Sequence, residues 1–474
     1  MTDSKRNFSL FSLVVILIGI VAGMAFGFNN GVFAGVLLFL KSSLHVSSAQ
    51  KELINGSNLV GAVVGSLGLA SIADKFGRRG GIWVAAIFTV IGSIGSSQAT
   101  TLDTLMVFRF CGGVALGMYA IVAPIYVAEI IPARFRGFAI GIFQLGIVGG
   151  IALGGWVDYF FSPTGSWRTM LAIGVVPAIV LSVFLFFVPD TARWYAMKGE
   201  IERSRKVLFR TYRDGNVVEE QSLLIQDSLN PTRIVPSADG ENGNSLSGMR
   251  RQAFKLAMLF GLAINFFDAL VGIQALNYYT PTIFSAAGFG KHEALLWTSI
   301  IGSATMVATV LGLLLIDRWG RRPLMLLALS WMTLSMLGLG TSFAFGQHSL
   351  AGLAVAGILI FQVAFSFGWG MMSYVYLPEI FSNRHRSYGF SLGKVFHWIL
   401  VLVTVTTFLS IMKAIGGSAT FYIFGVINGM ALLTIFVLAP ETKGKELEEI
   451  ESYWVEKAGA IWHLPVSETK VGSN

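Results

Sequence analysis

Asp268 is the residue that most needs explaining, because the surrounding stretch 253–285 is otherwise almost wholly apolar. A carboxylate at such depth in a membrane helix is costly, so it is functional by default. Three chemistries fit it: a proton carrier, a bidentate acceptor for ligand hydroxyls, or a counter-ion for a cationic solute. A structural Asp held by Asn265 or Asn277 is the plain alternative. His397, in another apolar run, titrates near neutral pH and can pair with Asp268 if their helices face one another; a lone buried His bridging two helices is the simpler reading. Gln144, Gln274 and Asn277 carry amides that donate and accept together, as a polyhydroxylated ligand requires in a dry site. Tyr278, Tyr279, Tyr374 and Trp398 offer apolar faces with polar tips, although such residues also serve as packing and interface anchors.

Two further sets of polar residues recur with regular spacing. Asp74 to Arg79 (DKFGRR) returns as Asp317 to Arg322 (DRWGRR), 243 residues later. Glu129 with Arg136 returns as Glu379 with Arg386, and Pro189-Asp190-Thr191 returns as Pro440-Glu441-Thr442, at offsets of 250 and 251 residues. Basic loops alone are ordinary punctuation between membrane helices. Three pairs in register instead indicate duplicated halves. Asp74, Arg78, Arg79, Glu129, Arg136, Asp190 and Arg193, with Asp317, Arg321, Arg322, Glu379 and Arg386, are expected to form charge-assisted pairs within and between the halves at one end of the molecule. Exposure at the rim keeps each pair worth about 1 kcal/mol, which suits contacts that form and break.

The elements that must position these residues follow from composition. The chain has 474 residues, 54% hydrophobic and only 13% charged, with a single cysteine. Its mean hydropathy is +0.68. That is too little charge to clothe a soluble enzyme, and too little cysteine for a disulfide scaffold. The net charge of +8 is spread in clusters between apolar runs, which is membrane topology rather than a nucleic-acid footprint. Twelve helical spans are expected at 8–31, 53–73, 81–99, 103–127, 137–161, 168–188, 253–285, 294–316, 323–345, 350–378, 388–412 and 417–438. The first is read as a retained helix rather than a signal peptide.

With the N-terminus in the cytoplasm, the inner segments hold 28 of the 34 Lys and Arg, which places both termini inside. The expected units are an N-terminal six-helix bundle (1–188), a cytoplasmic linker with short amphipathic helices (189–252), a C-terminal bundle (253–440) and a tail (441–474). Ser237 to Gly248 reads as a flexible, unfolded piece of the linker. Gly146, Gly149 and Gly150, and Gly112, Gly113 and Gly117, are expected to permit close helix contact, and Pro124, Pro281 and Pro378 to kink their helices.

These motifs resemble the sugar porter family of the major facilitator superfamily, from about Gly27 to Ile450. The loop signature at Gly65, Gly68 and Asp74 to Arg79, Arg109 to Gly113, Pro124 to Pro132 with Glu129, Arg136-Gly137, Gln144-Leu-Gly, Pro189 to Trp194 and Pro440 to Gly444 carry the resemblance. It implies a twelve-helix, all-α membrane protein of two pseudo-symmetric six-helix bundles, alternating access, and a sugar or polyol held between the halves. The family's glutamine pair on helix seven is replaced by Asp268 and Ala269. Thr305 stands at a usual Asn, Tyr374 at a usual Trp, and His397 at the Asn preceding Trp398. Asn29 falls where proton-coupled members carry Asp and facilitative glucose transporters carry Asn. It lies about 30 Å along helix one, and Arg109 about 10 Å into helix four from the other side, depths that allow contact. Asn at 29 favours a uniporter or a different coupling site.

The expectation is therefore a secondary carrier of a sugar, polyol or related polar solute, running downhill or with a proton taken by Asp268, in a cell membrane, as a monomer. No cofactor, metal or nucleic acid is expected, and no nucleophile constellation or phosphate loop appears. A carrier of an organic cation or other non-sugar metabolite is the alternative within transport. A non-transporting receptor is the rival from another class, and residues 439–474 leave it little room for a signalling module.

Overall fold

The computed structural model describes residues 9–68, 70–132, 136–229, 243–345, 351–372, 375, 376, 380, 386–445 and 447–462, and among them every regular element is helical. In the first half, α1 (Leu10–Ser43) is capped by Ser9, whose hydroxyl accepts the Ser12 N–H. α2 (Ser48–Gly68), α3 (Ala70–Phe76) and α4 (Arg78–Gln98) follow. α5 (Leu102–Ile130) opens on a reciprocal cap between Thr101 and Thr104. α6 (Arg136–Phe161) is followed by a span in two pieces, α7 (Trp167–Ala172) and α8 (Val175–Phe186). Three surface helices, α9 (Ala192–Met197), α10 (Ile201–Tyr212) and α11 (Gly215–Leu229), lead to the second half.

The second half runs α12 (Gly243–Leu270), α13 (Ile273–Ala286), α14 (Lys291–Trp319), α15 (Arg321–Ala344), α16 (Ala351–Ala364), a π-helical turn Phe365–Trp369, α17 (Arg386–Leu438) and α18 (Leu447–Trp462). Ten described segments are long and apolar enough to cross a bilayer. α2 adds an eleventh: its polar Glu52, Asn55 and Asn58 lower its hydropathy, yet all three are buried in the protein. The twelfth emerges because α17 contains two spans joined through one non-helical residue, Gly416, at φ 85°.

Close packing within the first half depends on absent side chains. A methyl group at Gly146 or Gly150 would strike the carbonyls of Ile20 or Met24 on α1, and at Gly113 or Gly117 those of Asn58 or Ala62 on α2. The halves meet where α6 lies on α14, α2 on α17 and α1 on α13.

Two spans break beside this interface. Between α12 and α13 the chain passes through Gly272 at φ 103°, and the Val271 carbonyl accepts a hydrogen bond from Asn428 Nδ2 at 2.9 Å. Broken backbone is tolerable at membrane depth only where the protein satisfies it in this way. The sequence reading had one continuous helix here. It also ended the unfolded linker at Gly248, but residues 243–248 belong to α12, which extends the apolar span backwards by polar turns; residues 237–242 lie outside the described residues. The tail contains α18, anchored by Trp454 against Phe260 at 5.3 Å between ring centroids. Pro124 and Pro281 sit inside α5 and α13, and Pro378 lies outside the described residues.

Candidate functional site

A cavity of about 100 Å³ opens between the halves. The first half contributes Asn30 from α1 and Gln144 from α6; the second contributes Asp268, Gln274, Asn277, Thr305, Gln362, Ser366, His397 and Trp398. Both broken spans feed it, α12–α13 through Asp268 and Gln274, and the π turn through Ser366. Asp268 Oδ1 accepts from Trp369 Nε1 at 3.1 Å, and its Oδ2 lies 3.4 Å from His397 Nδ1. Asp268 and His397 are both buried. Neither Asn265 nor Asn277 supplies the hydrogen bond that the sequence offered them; Asn265 Nδ2 donates instead to the Gly261 carbonyl. Apolar contact comes from Phe26 and Trp398, whose rings are 6.3 Å apart. Tyr278 stands behind the cavity wall and donates to Asn30 Oδ1 at 2.9 Å across the halves. Tyr279 is turned to the Val405 carbonyl within its own half, at 3.0 Å. Tyr374 lies outside the described residues.

Beside the cavity, Arg109 is enclosed in the first half. Its Nη1 donates to Asn29 Oδ1 at 2.9 Å and its guanidinium carbon sits 3.8 Å from the centre of the Phe33 ring. Asn58 Nδ2 donates to the Arg109 carbonyl at 3.0 Å. The Asn29 amide supplies an acceptor without a second charge.

At the end bearing the basic loops the duplicated motifs build the same device twice. Gly77 and Gly320 take φ 92° and 93°, which L side chains rarely adopt, and the helices after them begin under a carboxylate. Asp190 accepts the N–H groups of Arg78 and Arg79 at 3.0 and 3.1 Å; Glu441 accepts those of Arg321 and Arg322, both at 3.0 Å. Burial pushes the Asp190 carboxyl above its ordinary range, against the pull of these N–H donors and of the Arg78 charge. Arg78 pairs with Asp74 and Glu129, and Arg321 with Asp317. Arg79 and Arg322 reach the Leu185 and Phe436 carbonyls, while the hydroxyls of Tyr126 and Tyr376 reach those of Pro189 and Pro440.

Every one of these contacts stays within one half, so the expected pairing between halves is not seen at this end among the described residues. Arg193 is exposed and pairs with no described residue. Glu379 lies outside the described residues, and Arg136 and Arg386 are placed only as helix residues.

Ties between the halves gather toward the other end. Glu52 of α2, 4% exposed, accepts both the N–H and the Oγ–H of Ser410 on α17, at 2.8 and 2.5 Å. Ser162 Oγ lies 2.6 Å from His292 Nδ1, and Trp156 Nε1 donates to Ser303 Oγ at 3.0 Å. Sequence reasoning missed Glu52, Asn30 and Trp369, and also Asp158, a buried carboxyl of α6 set against Gly35 of α1. Asp158 is an acidic letter inside an apolar run, the signal that marked Asp268, and Asn30 is an amide beside Asn29 in another; Glu52, among Gln50, Lys51 and Asn55 just outside the expected span 53–73, and Trp369 carried none.

Comparison with known proteins agrees with this architecture. Residues 15–454 match the family model described as sugar (and other) transporter. The chain is 33% identical over 459 residues to the galactose-proton symporter of Escherichia coli K12, covering 95% of this chain and 97% of that protein. It is 31% identical to the arabinose-proton symporter of Bacillus subtilis, over 93% of this chain and 95% of that one, and 32% identical to the putative polyol transporter 2 of Arabidopsis thaliana, over 94% and 92%. An inward-open structure of the xylose transporter XylE from E. coli superposes with a TM-score of 0.77 at 25% identity, over 94% of this chain and 100% of that chain. With its twelve spans in two pseudo-symmetric bundles and a polar cavity between them, this multi-pass membrane protein belongs to the sugar (and other) transporter family, and it has the major facilitator fold.

Proposed function

We propose that this chain moves a sugar or polyol across the cell membrane by alternating access, working as a monomer with both termini in the cytoplasm. The observation that carries the reading is the cavity itself. Amides from both halves surround a buried carboxylate–imidazole pair and a Trp face, so one ligand with several hydroxyls can bond to both halves at once. About 100 Å³ of water-accessible space is well above the roughly 10–15 Å³ that a single water needs, so the cavity holds several waters for a polar solute to displace.

The bundles 1–188 and 253–440 rock about that site, with 189–252 and 441–474 on the cytoplasmic face. The carboxylate caps on α4 and α15 keep each half rigid as it moves. Asn29 leaves Arg109 without a titratable partner at that position, and Asp268 with His397 takes the proton when transport is coupled.

Counterflow in proteoliposomes tests this: preloaded hexose, pentose or polyol should accelerate uptake of labelled substrate of the same class. Exchange of amines without exchange of any neutral polyhydroxylated solute would instead assign the Asp268 carboxylate to a cationic substrate. Absence of any exchange would sink transport.

A further inference from the structure

A second cavity lies outside the transport path. It measures about 640 Å³ and is bounded by Leu10, Phe11 and Val14 of α1, Phe187 and Val188 after α8, and Phe209, Arg210 and Arg213 at the end of α10. Its depth is set by its walls, because one spanning helix begins at Leu10 and another ends at Phe186. The cavity therefore straddles the boundary between hydrocarbon and headgroups, on the side of the basic loops.

The two sides of α10 divide the work. Val207 and Leu208 are buried against Ala192 and Val218, whereas Phe209 is exposed, as are Leu10 and Phe187. Arg203 and Arg205 on the same helix are paired with Glu200 and Glu219. Arg210 and Arg213 make no ion pair with any described residue, and both guanidiniums are exposed at the polar rim of an apolar hollow. The nearest carboxylate in sequence, Asp214, is turned to the Asn216 N–H at 3.0 Å.

We propose that this cavity binds an anionic phospholipid of the adjoining leaflet, its phosphate bridged by Arg210 and Arg213 and its acyl chains laid on Leu10, Phe11 and Phe187. An apolar wall alone would accept any lipid tail; two unpaired guanidiniums at headgroup depth select a net negative head, and the fork geometry of Arg suits phosphate. The proposal rests on the membrane fold and is independent of which solute is carried.

The test is native mass spectrometry of the full-length protein in detergent, titrated separately with dioleoylphosphatidylglycerol, dioleoylphosphatidylcholine and inorganic phosphate. One phosphatidylglycerol should remain bound at concentrations where phosphatidylcholine does not. Arg210→Gln with Arg213→Gln should weaken it by about 30-fold, at about fivefold per arginine, and Arg203→Gln should leave it unchanged. Both arginines are exposed, so the double variant should keep its circular dichroism. Equal retention of the two lipids, indifference to the double variant, or displacement of the lipid by inorganic phosphate alone would overturn the assignment. So would lipid binding that appears only after residues 1–8 are deleted, which would make the N-terminal segment the occupant.

Discussion

Glu52→Gln should unlatch the end of the molecule opposite the basic loops. The carboxylate of Glu52 is 4% exposed and receives two hydrogen bonds from Ser410, at 2.8 and 2.5 Å, across the interface between the halves. Bonds to a buried charge are worth about 1.5–3 kcal/mol each and neutral ones about 0.5–1.5. A glutamine there retains one acceptor oxygen, uncharged, and turns an NH2 toward a second donor. One bond is lost and the other weakened, removing about 2.5–4.5 kcal/mol from the closed arrangement. That shifts the equilibrium between closed and open toward open by about 70- to 2,000-fold. Lys51, beside Glu52, and Lys413, one turn beyond Ser410, are the cations next to it in sequence; neither charge is altered by the substitution.

The assay is labelling of Asn277→Cys, a cavity-lining position of α13, in a Cys111→Ser background, by a membrane-impermeant maleimide added on the Lys51 side. Labelling should accelerate by the same factor until the open state dominates. An unchanged rate in a folded Glu52→Gln protein would refute the latch. So would equal acceleration from the basic side, which would mean general loosening rather than release of one gate.

Asp268→Asn should abolish solute accumulation driven by an imposed pH gradient while leaving counterflow measurable, since an amide keeps the Trp369 Nε1 contact but carries no proton; retained accumulation would exclude Asp268 as the coupling group. Asp190→Ala and Glu441→Ala should each cost about 1–2 kcal/mol through loss of a helix cap, read as lower melting temperatures of similar size in detergent, and Asp190→Asn should cost less; a large effect in one half alone would deny the caps equivalent weight. Gly35→Ala should destabilise by about 1–3 kcal/mol, because the added methyl meets the Asp158 carboxylate, and combination with Asp158→Ala should recover most of it; additive losses in thermal unfolding would place the strain elsewhere.

The membrane class and the twelve spans were legible because a bilayer forces each crossing to be a long apolar helix, a constraint written in local composition. The duplication was legible because its markers, Asp74 to Arg79 and Asp317 to Arg322, stand in polar loops where a short motif is conspicuous. Span ends were less so: the polar letters of α2 face protein rather than water, and Gly243 to Gly248 read as linker yet extend α12, whereas the break at Gly416 falls inside the expected gap between 412 and 417.

That Asp268 and Arg109 are buried charges needing partners follows from the apolar letters around them, since no membrane segment keeps such groups idle. Which partners they take was decided by the tertiary structure. Trp369 reaches Asp268 across 101 residues and Asn29 reaches Arg109 across 80. Ser410 finds Glu52 across 358. A helix that is apolar on all sides has no amphipathic stripe to say which face looks into the cavity, so its rotation, and with it every contact between spans, is fixed only when the helices pack.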